Sequence, residues 1–284
     1  MLSSTDAAPR RIIRTAPAFF ANSIIAVALA VGIARLVEML GVAVVGAFAG
    51  REPVVNHVFT TLRVPGSEPV ELAAPAASLI VGIVLLMLYP GSKDRSAGRL
   101  LMLWTLLFCF RNALVEVARA AFDENTALGG VLSESSLDPN VVLTFSILAI
   151  VGLVLVSVGA APAFLSFSRH RSEISTWPER LRFMASIALV PGMLGPLAAI
   201  PFFVPDQGSG VISLLPQLGV FVVVTTIAGI FVKSVPPPEV IEERGLALGL
   251  LSGYAFLFLV YRFGLGPGLV FPPWDENLRL TWRP

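Results

Sequence analysis

The sequence predicts an all-α fold: a polytopic integral membrane protein, a helical bundle of about seven transmembrane helices, with the N-terminus inside and the C-terminus outside. Three observations carry that expectation. The chain of 284 residues is 55% hydrophobic and only 14% charged, whereas about a quarter of a soluble domain is charged. Its mean hydropathy is +0.81, and the apolar runs reach the ~20 residues that a bilayer requires of a helix. Arginine and lysine also collect in alternate loops, as the positive-inside rule asks.

Spans are expected near residues 17–49, 74–90, 99–122, 140–166, 182–204, 210–233 and 245–266. The first follows a basic cytoplasmic segment, 1–16, that holds Arg10, Arg11 and Arg14. A basic start and an apolar stretch resemble a signal peptide. The run is much longer than the roughly 7–15 residues of a signal core, so a retained span is expected. The second, APAASLIVGIVLLMLYPG, is the shortest. Before it, β-prone runs flank Pro65, Gly66 and Ser67, which predicts a hairpin or short extended lid. After the sixth, a proline run precedes an acidic helix start in KSVPPPEVIEERG. The tail, 267–284, is rich in Pro and Trp and is placed at the outer interface.

The loops set the orientation. With the N-terminus inside, the inner segments hold Lys93, Arg95, Arg99, Arg169, Arg171, Arg180, Arg182, Lys233 and Arg244. The outer loops hold Arg51 and Arg63, and loop 123–139 is acidic. The location expected is a prokaryotic plasma (inner) membrane.

The third span departs from the apolar pattern. Thr105, Cys109, Asn112, Glu116, Arg119 and Asp123 recur at steps of three and four, which keeps them on one helical face. The first span has its own seam of Ala28, Gly32, Arg35, Glu38 and Val42. At about 1.5 Å per residue, Arg35 and Glu38 lie roughly 27 and 31 Å above residue 17, and Glu116 and Arg119 roughly 26 and 30 Å above residue 99. Arg35 thus levels with Glu116, and Glu38 with Arg119, in opposite sign. Each charge costs about 2.5–3.5 kcal/mol at mid-membrane on insertion scales, so a four-charge cluster paired across two helices is expected. Arg111 is left over, off the stripe and beside Asn112. Its acceptor is expected outside the chain's own carboxylates: a freed carbonyl, an anion or lipid, or another subunit.

Pro191, Gly195 and Pro196 in the fifth span, and Pro216 and Gln217 in the sixth, mark broken helices. Freed backbone groups there point to a candidate binding site, set against the simpler role of kinks and close packing.

Familiar membrane chemistry is missing. His57 and His170 both fall in expected loops, and no HExxH occurs. A zinc protease, a Ser–His protease and a bis-histidine haem therefore lack their residues. No lysine lies in the seventh span for retinal, and no aspartate in any span for an aspartyl protease. Cys109, between two phenylalanines and without a histidine base, reads as a small apolar residue. Nucleic-acid binding lacks a basic patch with interleaved aromatics, and no cofactor or metal is expected. The function expected is that of a non-enzymatic multi-pass subunit of a larger membrane complex, with the lipid bilayer and other membrane subunits as its partners. A small-solute or ion permease using the broken spans is the alternative. A lipid-handling enzyme with Glu116 as base and Arg111 on the headgroup is the second.

Overall fold

A computed structural model describes residues 17–64, 70–91, 97–124, 126–134, 137–168, 171–204, 208–232, 246–271 and 281–282, with 208–217 described by their backbone. Among the described residues eight helices carry the fold: α1 Pro17–Phe48, α2 Ala73–Leu88, α3 Ala97–Arg119, α4 Ala127–Glu134, α5 Pro139–Leu165, α6 Trp177–Phe203, α7 Gly208–Phe231 and α8 Leu248–Leu265. Six of the described helices are long and apolar enough to cross a membrane: α1, α2, α3, α5, α6 and α8. The chain is a multi-pass helical membrane protein. The expected sixth span corresponds to α7, a 24-residue helix whose described side chains run from Leu218 to Phe231. The six do not include it.

Helix limits follow local chemistry. Gly50, at φ +66°, ends α1 in a left-handed cap. The Gly50 and Arg51 amides turn back to the Ala47 and Gly46 carbonyls at 3.1 and 2.8 Å, which satisfies two orphan acceptors at once. Asp138 caps α5 by accepting the Asn140 amide at 2.8 Å, with Pro139 at the first helical position. Glu179 reaches back to the Thr176 amide at 3.0 Å at the start of α6. At the far end of α7, Arg180 donates to the Ile230 and Val232 carbonyls, a cation at a helix C-terminus.

The helix α1 is the hub, packing on α2, α3, α6 and α8, and α3 joins it to α5. About half of α1, α3 and α6 is buried inside the bundle, against 17% of α2 and α5. The last two therefore turn most of their apolar surface outward, toward lipid. Trp104 of α3 meets Phe164 of α5 at 5.0 Å between ring centroids, and Phe202 of α6 stacks on Tyr261 of α8 at 5.7 Å.

A small antiparallel sheet of order β2-β1-β3-β4 adjoins the bundle. The strands are β1 Pro53–Val55, β2 Thr60–Leu62, β3 Leu269–Val270 and β4 Thr281–Trp282. The expected hairpin exists, with a different turn. Its strands close at Asn56–Phe59, where the Asn56 amide donates to the Phe59 carbonyl at 2.9 Å. Residues 65–69, with Pro65, Gly66 and Ser67, lie outside the described residues, as do the basic segment 1–16 and the stretch 233–245. The tail, expected at the outer interface, joins this sheet. Its strands extend the hairpin's sheet, and the Phe271 amide bonds the Pro53 carbonyl at 2.9 Å.

Candidate functional site

The charged residues of the first and third spans come together, as their depths required. Arg35 and Glu38 on α1 and Asn112, Glu116 and Arg119 on α3 line one cavity of about 510 Å³. Phe59 and Thr60 of the hairpin, Glu71, Ala74 and Pro75 at the head of α2, and Asp123 and Thr126 beyond α3 complete its wall.

The pairing differs from the expectation. Arg35 donates through Nη1 to Glu38 Oε2 at 2.9 Å, three residues along its own helix. Its Nε donates to the Val58 carbonyl of the hairpin turn at 3.0 Å. Arg119 pairs with Asp123, four residues on. Neither Arg35–Glu116 nor Glu38–Arg119 forms. Residues three or four apart on a helix already face each other, so these pairs need no contact across the cavity. The helical wheel and rise fixed depth correctly. They carried no information on lateral packing, in which the hairpin and the head of α2 line the same cavity.

Glu116 has a separate task. Its Oε1 accepts the Leu128 amide at 3.1 Å, while Thr126 Oγ1 accepts the Gly129 amide at 2.9 Å. Together they satisfy two of the orphan donors at the start of α4. The loop after α3 is thereby folded back against the cavity. The signal was present in sequence as Thr126 ahead of an apolar turn, but the partner, Glu116, is ten residues earlier and was not legible.

Arg111 is 6% exposed and donates through Nη1 to Asn112 Oδ1 at 2.9 Å. The acceptor expected was a freed carbonyl, an anion or lipid, or another subunit; the side-chain amide of the neighbouring Asn112 is none of these. The Arg111 guanidinium also interacts electrostatically with Glu38 of α1. Asn112, its acceptor, lines the cavity, and Arg111 is not among the lining residues.

Of the broken-helix residues, Pro191, Gly195 and Pro196 are not among those that line this cavity. In α6 a π-helical turn spans Ala185–Leu189 and the helix turns again at Ala199. Pro191 has no N–H to offer the Ile187 carbonyl. Ser23 of α1 takes its place, donating at 2.7 Å, and Trp104 Nε1 donates to Ser23 at 3.4 Å. The Ala198 carbonyl accepts Tyr254 of α8 at 2.7 Å. A Cβ on Gly195 would stand 2.2 Å from Val27 Cγ1, so this glycine permits α6 to touch α1. Pro196 is buried in the same helix. Pro216 and Gln217 lie within α7, which runs as one helix through them and is not broken there. Their side chains fall outside the described residues.

Among the described residues no group of three or more His, Cys, Asp and Glu is placed to hold a metal ion. Cys109 is fully buried. Comparison of the chain with protein-family models, with curated proteins and with solved structures finds no match.

Proposed function

We propose that this chain is a non-enzymatic, seven-span subunit of a larger assembly in a prokaryotic plasma membrane, N-terminus inside. It engages its partner through the charged cavity between α1, α2 and α3. One observation carries the reading. Each cavity arginine makes its ion pair with a carboxylate three or four residues along the chain, and neither Arg35–Glu116 nor Glu38–Arg119 clamps the two walls together. A pure ion-pair lock would close the space; here about 510 Å³ stays available, within the range of small-ligand sites.

The rival readings have less to stand on. A permease would use the carbonyls freed in α6, and Ser23 and Tyr254 already occupy those at Ile187 and Ala198. A lipid-handling enzyme would use Glu116 as base, and that carboxylate supports the start of α4.

The test is to fill the cavity. Ala74 lines it and is half-buried. The wild-type protein, extracted gently and weighed by native mass spectrometry, is expected to carry a companion of fixed stoichiometry. Ala74→Phe should lose that companion by about tenfold, equivalent to about 1.4 kcal/mol, and still elute as a folded species. A companion retained in full by the filled variant, or none with the wild type, would refute the proposal.

A further inference from the structure

We draw no further inference here: the strongest candidate, the exposed apolar face of Val44, Val45 and Phe48 on the last turns of α1, past the point where Gly41 packs against Ala73 and Ala77 of α2, carries nothing because nothing in the structure shows what covers it.

Discussion

Arg35 is held at two points by one planar group: Nη1 meets Glu38 and Nε meets the Val58 carbonyl. A guanidinium can serve both because its donors diverge in a fixed fork, which a lysine's point charge cannot reproduce. The pairing predicts how the four cluster charges couple. In double-mutant cycles on unfolding, Arg35 and Glu38 should couple by about 0.5–1 kcal/mol, a modest figure because the Arg35 side chain is 42% exposed. Arg35 and Glu116 should couple by less, and the swap Arg35→Glu with Glu116→Arg should recover nothing. A coupling for Arg35–Glu116 larger than for Arg35–Glu38 would restore the cross-helix pair. That four charges gather at one depth was legible in the sequence, because helical rise converts residue number into height. Which of them touch was not, because that depends on how two helices pack and on the hairpin that binds Arg35.

The element that shows most clearly how backbone and neighbour are matched is α6. Its prolines and π-helical turn release carbonyls within the bundle, and a released carbonyl in a dry interior must be paired. The pairing comes from other helices, from Ser23 on α1 and Tyr254 on α8. Ser23→Ala should therefore destabilise the protein by about 1–3 kcal/mol, the cost of stranding a buried polar group. Adding Pro191→Ala should recover part of the loss, since an amide at position 191 can return to the Ile187 carbonyl. Denaturant titration of the purified protein in detergent would measure both, and equal losses with and without Pro191→Ala would contradict the account. Proline and glycine in the sequence announce a broken helix. They do not reveal that a serine more than 160 residues away completes it.

At the scale of the whole molecule, a chain that exposes so much apolar surface on α2 and α5 is at home in a bilayer, and its orientation rests on its arginines. Ser135→Cys should react with an impermeant thiol reagent added outside intact cells, and Ser172→Cys should not. The native thiol, Cys109, is buried and should contribute little background. The reverse pattern would invert the topology. The sheet also binds the chain's two halves, because β3 pairs directly with β1. Neither partner's sequence shows this, since a two-residue strand carries almost no periodic signal.

The sequence by itself determined that this is a multi-pass helical membrane protein, where most of its spans run, and which charges share a depth. Those properties are local or one-dimensional: hydropathy accumulates along a run, helical rise is constant, and a cap or a left-handed glycine acts within a turn. Tertiary structure alone decided that Arg35 and Arg119 pair three and four residues along the chain, that Glu116 supports the start of α4, and that a cavity lies between the first and third spans. It also decided that the broken fifth span is completed by hydroxyls from α1 and α8. Each of these depends on how far apart two elements stand and on what fills the space between them. No periodicity encodes that distance; it is settled only when all the helices pack at once.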